Sequence, residues 1–335
     1  MPAMLAAQPT STFPRGIQPE SPSRARPNTG LENELSQLGP WKLGSVLGRG
    51  AWATVRLGWQ NHATLPYAIK ILRTEWTDHP WALSQFQQEA ELGRRLNCPH
   101  LLPILGGDCR RHPYYLVMPG LRGETLQQRL SRSGPLSPAQ ALGMGRQVAT
   151  ALGVIHQAGF VHQDVKPANI WLVPNGHVTL LDLGSCQEIV PATSVWERPL
   201  IGSPAYLAPE SFTTSQGITP QSDFYSLGVV LYQALCGRSP YPCNHADLAD
   251  GPATARECSP EITAITALVE QILHFRPIPL RQLQPLLCSA TADFIQGLLA
   301  KHPARRPSSA ADIIATISRL ELAAIQNSVS RLLAE

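Results

Sequence analysis

One stretch of the sequence, residues 160–184, constrains the fold more than any other. It reads FVHQDVKPANIWLVPNGHVTLLDLG and carries an acidic residue towards each end, Asp164 and Asp182. Between them lie two short apolar runs, 170–173 and 178–181, which are joined by a turn containing Pro, Asn and Gly. Asn-Gly between apolar runs is a strong signal for a β-hairpin. Since a hairpin brings its two ends together, the two acidic residues are expected to converge.

The polar side chains at the ends of this hairpin suit phosphate chemistry. Asn169 follows Asp164 before the first strand, and Asp182 comes directly after the second. Carboxylate and amide oxygens are hard ligands, suited to Mg²⁺ bound with a polyphosphate. Lys166 adds a positive charge near the place where a transferred phosphoryl group would build up negative charge.

These two loops resemble the catalytic loop and the metal loop of protein kinases, which here read His162-Gln163-Asp164 and Asp182-Leu183-Gly184. The lysine two places after the aspartate, in DVKPAN, is similar to the serine/threonine branch of the family. The resemblance implies that Asp164 orients and deprotonates the substrate hydroxyl, with Lys166 beside it. It also implies that Asn169 and Asp182 hold magnesium.

An earlier segment, residues 41–57, alternates between apolar and polar residues on both sides of a glycine-containing turn, which predicts two antiparallel strands. Within it, GRGAWATV resembles the kinase loop that covers the ATP phosphates. Glycine in such a loop lets backbone N–H groups approach phosphate. Here Ala53 replaces the third glycine and Trp52 occupies the loop tip. The resemblance implies four nucleotide-binding residues in this segment: Leu47, Gly48, Gly50 and Val55.

The strand predicted at residues 65–72 carries one long cation, Lys70, among apolar residues. Such a lysine needs a partner, because an unpaired buried charge is costly. The strand resembles the VAIK strand of kinases, which implies that Lys70 contacts the α- and β-phosphates and that Ala68 lies beside the nucleotide. The register of the following helix favours Glu89 over Glu91 as the partner of the lysine.

Residues 112–126 form a strand that runs into a glycine-rich connection and resembles the hinge between kinase lobes. By this resemblance Met118 is the gatekeeper. Adenine would then bond to the carbonyl of Pro119 and to the carbonyl and N–H of Leu121. Trp171 falls where the family has a leucine-sized floor beneath adenine, and it would either stack on the base or crowd it.

The segment GSPAYLAPE, residues 202–210, resembles the peptide-positioning segment of kinases. Ser203 replaces the usual threonine and is expected to hydrogen-bond the aspartate and the lysine of the catalytic loop. Glu210 is expected to pair with Arg306. Asp223 is expected to anchor the backbone of the catalytic loop.

Upstream, Ser137 followed by a proline predicts the start of a long helix that leads into that loop.

Two residues depart from the family pattern. Gln163 replaces the arginine that usually grips a phosphate on the activation segment, which predicts activity independent of phosphorylation at Thr193, Ser194 or Ser203. Gly93 stands where a large apolar residue is usual. A missing side chain at a packed site costs about 2–5 kcal/mol unless a nearby tryptophan fills the space, so a mobile helix and modest basal activity are expected.

The ordered motifs, spread over residues 41–320, imply an α+β, bilobal protein-kinase-like fold. The small lobe is mainly antiparallel β-sheet with one key helix, and the larger lobe is mainly α-helical. The expected segments are a disordered N-terminal tail (1–36), the N-lobe (41–118), the hinge and C-lobe (119–321) and a C-terminal helical tail (322–335).

Composition restricts the remaining possibilities. The chain has 335 residues, 43% hydrophobic and 15% charged, with a net charge of +3, which favours neither nucleic acid nor an anionic membrane as partner. No apolar run is long enough to span a bilayer. The start of the chain lacks the pattern of a signal peptide. The seven cysteines lack paired metal-binding spacing and indicate reduced thiols in the cytoplasm.

The sequence therefore predicts a serine/threonine protein kinase that uses ATP and Mg²⁺ and transfers the γ-phosphoryl group to hydroxyls of protein substrates. One alternative is a pseudokinase that serves as a nucleotide-binding or scaffold module, which the departures at Ala53, Gly93 and Trp171 keep open. Another is a small-molecule phosphotransferase of kinase-like fold. The sequence leaves the oligomeric state, the physiological substrate and the upstream signal open.

Overall fold

The computed structural model describes residues 35–60, 65–189, 201–213, 217–241 and 260–332, without the side chains of 260–263 and 327–332. Nearly all of the expected tail, residues 1–34, lies outside the described residues, as do Thr193 and Ser194.

An antiparallel sheet forms the first lobe. Its strands are β1 (Gln37–Leu38), β2 (Trp41–Arg49), β3 (Ala53–Gln60), β4 (Tyr67–Leu72), β5 (Gly106–Asp108) and β6 (Tyr115–Pro119), arranged in the order β1-β2-β3-β4-β6-β5. Strands β2 and β3 are the hairpin predicted around the glycines. Because side chains alternate across a strand, Ile69 and Val117 pack together on one face of the sheet. Their neighbours Lys70 and Met118 lie on the other face.

Helix α1 (Pro80–Arg95) covers that second face. Proline at its first turn suits a helix start, where a missing backbone N–H costs nothing. Phe86 and Ala90 of α1 are buried in one cluster with Leu116 and Met118 of β6. The helix is thereby fixed above the strand that carries Lys70.

The second lobe is mainly helical. Its helices are α2 (Leu126–Ser133), α3 (Pro138–Gln157), α4 (Pro220–Cys236), α5 (Pro260–His274), α6 (Leu280–Leu283), α7 (Ser289–Leu298) and α8 (Ala310–Leu332). Helix α4 is buried along most of its length and forms the centre of the core. Helix α3 starts at the predicted cap, where the Ser137 hydroxyl accepts from the Gln140 backbone N–H and the Gln140 side chain accepts from the Ser137 N–H. The expected boundary between residues 321 and 322 falls inside α8.

Short strands in this lobe hold the stretch from which the sequence analysis began. Strand β7 (Glu124–Thr125) pairs with β9 (Ile170–Leu172), and β9 pairs with β10 (Val178–Leu180) in the predicted hairpin. Gly176 takes a φ of +85° in the turn. Strand β8 (Phe160–Val161), which precedes the hairpin, pairs with β11 (Gln187–Glu188), which follows it. The polar loops at the two ends of the hairpin are therefore drawn together.

Within the described ranges, no helix combines the length and the apolar content that are needed to cross a membrane.

Candidate active site

Lys70 on β4 is paired with Glu89 on α1, as predicted. Its Nζ lies 2.6 Å from Glu89 Oε2 and 3.2 Å from Asp182 Oδ1. The lysine and the glutamate are nearly enclosed, with side chains 15% and 6% exposed, whereas that of Asp182 is 39% exposed. One ammonium group thus joins the sheet, the helix and the loop after the β9–β10 hairpin.

Charge compensation favours the charged forms of Lys70 and Asp182, whereas burial dominates at Glu89. Burial lowers the pKa of the Lys70 ammonium group, but the carboxylates of Asp182 and Glu89 outweigh it, and the pKa is raised above its usual value. Burial raises the pKa of Glu89 to about 7, against the opposing effect of Lys70. Burial also acts to raise the pKa of Asp182, but the charge of Lys70 and its hydrogen bond leave it lowered. Asp182 is therefore the more exposed of the two acidic residues in this cluster.

The catalytic-loop residues form a second polar cluster. Lys166 Nζ lies 2.6 Å from Asp164 Oδ2 and donates to Ser203 Oγ at 2.8 Å. The backbone N–H and the hydroxyl of Ser203 both donate to Asp164 Oδ1 at 3.0 Å. The expected contacts of Ser203 are thus present. They fix the carboxylate of Asp164 from two sides.

Asn169 completes this cluster in a way that leaves an oxygen for a cation. Its Nδ2 donates to the carbonyl and to Oδ2 of Asp164, both at 2.9 Å. The amide nitrogen is thus turned towards the aspartate, and the amide oxygen is the atom left to bind a metal. Asn169 and Asp182 supply one amide oxygen and one carboxylate, which suits Mg²⁺ bound mainly through substrate phosphates and water. The donor set therefore fits the expected ion.

The loop that carries Asp164 is anchored from inside the second lobe. Asp223 on α4 is fully buried and accepts the backbone N–H groups of His162 at 2.8 Å and Gln163 at 2.9 Å. His156 on α3 lies 2.8 Å from the same carboxylate. The anchoring role expected of Asp223 is thus supported by these contacts.

Two residues of the site hold a left-handed backbone conformation, which is rare for residues other than glycine. These are Gln163, with a φ of 70°, and Asp182, with a φ of 61°. Such strain persists only where surrounding contacts enforce it and is concentrated at functional sites. Here the Asp223 bonds enforce it at Gln163. The bond from the Gly184 N–H to Asp182 Oδ1, at 3.3 Å, contributes at Asp182.

The register of the sheet places the expected nucleotide-binding residues on one face. Val55 is paired with Lys70 and with Gly48, and Ala68 is paired with Met118. Directly paired residues in an antiparallel sheet project to the same side. Gly50 closes the turn between β2 and β3 by donating to the Ala53 carbonyl at 2.8 Å. Leu47, on β2, is more than half exposed.

The connection between the lobes follows β6. It begins at Pro119 and continues through Gly120 to Leu121. A Cβ at Gly120 would lie 2.3 Å from the carbonyl oxygen of Pro66, so this connection packs directly on the start of β4. Trp171 lies below it on β9, and its Nε1 donates to the Arg122 carbonyl at 3.1 Å. The indole is therefore tied to the connection between the lobes by a polar contact.

The ion pair predicted between Glu210 and Arg306 is present and buried. Arg306 Nη1 and Nη2 donate to the two carboxylate oxygens at 2.6 and 2.8 Å, and the Ser222 hydroxyl donates to the same carboxylate at 2.8 Å. The pair holds the end of the 202–210 segment to the loop before α8.

The expectation that Gly93 leaves a gap in the packing is wrong, which removes the packing reason for expecting a mobile helix. A Cβ at Gly93 would lie 2.3 Å from Cγ1 of Ile104, so the isoleucine already fills the space. The Ile104 N–H also donates to the Gly93 carbonyl at 3.0 Å. The compensating residue is an isoleucine of the segment after α1 and not a tryptophan. The packing argument for modest basal activity therefore no longer holds.

Sequence reasoning missed several contacts around the site. The Gln88 side chain on α1 donates to the Cys186 carbonyl, which ties the helix to the metal loop. Arg73, directly after β4, donates to the carbonyls of Gly50 and Ala51. Ala53, which replaces a glycine, is buried in the cluster beneath α1. The sequence offered one signal, since Gln88 is a polar residue next to Glu89 on α1. The other contacts depend on packing that no short motif encodes.

A two-lobed fold, a strand lysine paired with a helix glutamate, and two acidic loops at the lobe boundary define the protein kinase class of fold. Residues 41–316 match the protein kinase domain family, and the chain belongs to that family.

Several curated proteins are similar to the chain over most of its length. The serine/threonine-protein kinase drp72 of Corynebacterium efficiens is 30% identical over 306 residues, which are 88% of this chain and 54% of that protein. PknA of Mycobacterium tuberculosis is 31% identical over 289 residues, 83% of this chain and 61% of that protein. PknB of Mycobacterium leprae is 30% identical over 285 residues, 84% and 43% respectively. The chain thus matches about half the length of these relatives.

Proposed function

We propose that the chain is a serine/threonine protein kinase, which transfers the γ-phosphoryl group of ATP to hydroxyl groups of protein substrates. The observation that carries the proposal is a pair of polar clusters that are linked through the backbone, where the Leu181 N–H donates to the Asn169 carbonyl at 2.8 Å. One is Lys70 with Glu89 and Asp182, and the other is Asp164 with Lys166. The names of the similar proteins support the same activity.

In this proposal each side chain has a distinct task. Lys70 contacts the α- and β-phosphates, and Glu89 positions it. Asp164 accepts the proton of the substrate hydroxyl as the oxygen of that hydroxyl bonds to the γ-phosphorus and the bond to the ADP oxygen breaks. Lys166 stabilises the charge on the transferred group. Asn169 and Asp182 would hold magnesium, which when bound neutralises phosphate charge.

Protein rather than small-molecule acceptors are favoured by the segment 202–210. Ser203 connects this segment to Asp164 and Lys166, and the buried Glu210–Arg306 pair fixes its far end. A segment held at both ends beside the base provides a surface on which an extended peptide could be placed.

The direct experiment incubates the full chain with magnesium, γ-labelled ATP and a generic protein acceptor such as casein. We expect label on serine and threonine, and Asp164→Asn is expected to reduce the rate by a factor of about 10²–10⁴, as for loss of a general base. ATP binding without any transfer by the wild type would instead indicate the pseudokinase alternative. Label confined to small molecules would indicate the other phosphotransferase class.

Activity is further proposed to be independent of phosphorylation on the activation segment. Gln163 has no charge with which to bind a phosphate, and Asp223 already holds its backbone. Treatment of the purified chain with a phosphatase, followed by its removal, is expected to leave the initial rate unchanged. A large loss of rate that autophosphorylation restores would refute this.

A further inference from the structure

Three tryptophans meet where the glycine-rich loop, residues 48–55, faces the start of helix α1. The ring centroid of Trp52, at the loop tip, lies 5.3 Å from that of Trp76 and 4.4 Å from that of Trp81. Trp76 belongs to the short turn 74–76 between β4 and α1, and Trp81 lies in the first turn of α1. Edge-on and tilted aromatic pairs at such distances are attractive beyond the area they bury.

The backbone of the loop is held to the same region. Arg73 Nη1 donates to the Ala51 carbonyl at 3.1 Å and to the Gly50 carbonyl at 3.4 Å. The backbone N–H of Arg73 donates to the Trp52 carbonyl at 2.8 Å. Three consecutive loop carbonyls therefore bind one residue of the segment that leads into α1. The loop tip is attached both through its ring and through its backbone.

This attachment connects the two parts of the site that must be ordered together. The loop covers the place proposed for the phosphates, and α1 carries Glu89, which positions Lys70. Trp76 also packs against the cluster that contains Phe86 of α1. A loop that is held in place before the nucleotide arrives loses less conformational entropy on binding. A ring held by Trp76 and Trp81 is also kept from folding into the cleft.

We propose that Trp52, Trp76 and Trp81 form a clamp that couples the glycine-rich loop to helix α1, so that these tryptophans act as positioning residues for ATP. Because coupling between two parts of a molecule is reciprocal, bound ATP in turn stabilises the position of α1 and the Lys70–Glu89 pair. The proposal rests on the proposed kinase function and adds a specific link within its site.

The test uses Trp52→Ala, Trp81→Ala and the double variant in the full chain, with calorimetric titration of Mg-ATP and steady-state kinetics. Each single variant is expected to weaken ATP binding about three- to tenfold, as for the loss of one or two aromatic contacts. KM for ATP is expected to rise by the same factor, with a smaller change in kcat. The double variant is expected to bind ATP no more weakly than the single variant with the lower affinity. The reason is that both substitutions remove the same contact between Trp52 and Trp81. Trp52→Phe is expected to recover part of the affinity.

The matched control is Trp59→Ala, which removes an indole that is also 37% exposed but lies at the far end of β3. Its ATP affinity is expected to stay within about twofold of the wild type. Thermal unfolding of all variants separates lost folding from lost coupling.

Unchanged ATP affinity in Trp81→Ala, or strictly additive effects in the double variant, would overturn the clamp while leaving the kinase function intact. A wild type that binds Mg-ATP but transfers no phosphate would refute the kinase function, and the binding data would still decide on the clamp. A wild type that does not bind Mg-ATP would refute both.

Discussion

At the scale of single residues, the two carboxylates that flank Lys70 differ in exposure. Glu89 is almost enclosed, while a large part of the Asp182 side chain is open. An enclosed carboxylate can orient the lysine but has little room for a metal, whereas an accessible one can do both. Under the proposed function, this difference supports a positioning role for Glu89 and a metal-binding role for Asp182.

Replacement of Glu89 tests this division. Glu89→Gln keeps the shape of the side chain but removes its charge, and hydrogen bonds to charged groups contribute about 1.5–3 kcal/mol. We expect kcat/KM for phosphoryl transfer to fall about 10- to 100-fold. The control is Glu91→Gln on the exposed face of the same helix, which should be close to wild type. Equal losses in the two variants would contradict the assignment.

Gly93 provides a second test at this scale. Gly93→Ala forces a Cβ against Ile104 and is expected to lower the free energy of unfolding by about 1–3 kcal/mol, the usual cost of overpacking. Ile104→Ala alone should cost about 2–5 kcal/mol because it opens a cavity. The double variant should lose less than the sum, since the alanine at position 93 then occupies vacated space. Denaturant unfolding measures all three; additive losses would show that the two residues do not compete for space.

Gly93 also shows where sequence reasoning stops at this scale. A motif names the residue types that a site needs, and it placed Lys70 beside Glu89 correctly. It could not show which residue fills the space left by a missing side chain, because Ile104 is brought there by the path of the chain after α1. Packing partners of this kind are set by the three-dimensional fold. The number of residues between them along the chain follows no pattern from which the contact could be predicted.

At the scale of elements, the site depends on segments that are fixed at both ends. The β9–β10 hairpin was predictable, because its turn residues and apolar runs are local signals. The start of α3 at Ser137 was predictable for the same reason. The clamp between the glycine-rich loop and α1 was not, because Trp76 and Trp81 carry no local signal that distinguishes them from ordinary core residues.

The Glu210–Arg306 pair is the clearest test of an element that is fixed in this way. Arg306→Met leaves Glu210 buried without its partner and is expected to cost about 3–5 kcal/mol of stability. Combining it with Glu210→Gln removes the stranded charge, so the double variant should recover part of that loss. Chemical denaturation provides the measurement. A double variant less stable than Arg306→Met would contradict the interpretation.

At the scale of the whole molecule, the stability of the second lobe depends on pH through Lys301, because burial disfavours the charged form of this lysine. Lys301 donates to the Tyr241 hydroxyl at 2.7 Å and to the Ile272 carbonyl, and its Nζ lies 4.4 Å from the centre of the Tyr241 ring. Burial, with repulsion from Arg306, lowers the pKa of Lys301 from 10.5 to about 8. The folded state therefore releases this proton at a lower pH than the unfolded state does.

The sign of the resulting pH dependence follows from linkage. Between about pH 8 and 10.5 the unfolded chain still binds the proton that the folded chain has lost, so stability rises with pH in that window. Below pH 8 both states are protonated and the contribution is constant. We expect the free energy of unfolding of the wild type, relative to Lys301→Met, to increase from pH 8 to pH 10. A constant difference would show that Lys301 titrates normally.

The overall two-lobed arrangement was implied by the order of motifs along the chain, and the structure confirms it. Helix α8 runs through the expected boundary between residues 321 and 322 and continues to Leu332, so the start of the predicted C-terminal helical tail is helical. Arg146 Nε on α3 donates to Glu321 Oε2 at 2.9 Å, which continues the contact between the two helices to that point. Helix length depends on such packing as well as on local sequence.

The central claim is that Asp182 binds the metal that accompanies ATP in a working kinase site. The most direct measurement is phosphoryl transfer and ATP affinity, with and without magnesium, for the wild type, Asp182→Ala and the surface control Asp108→Ala. We expect magnesium to tighten ATP binding and to support transfer in the wild type and in the control. In Asp182→Ala both effects should be lost while thermal unfolding remains cooperative. Transfer at the wild-type rate by Asp182→Ala would contradict the account.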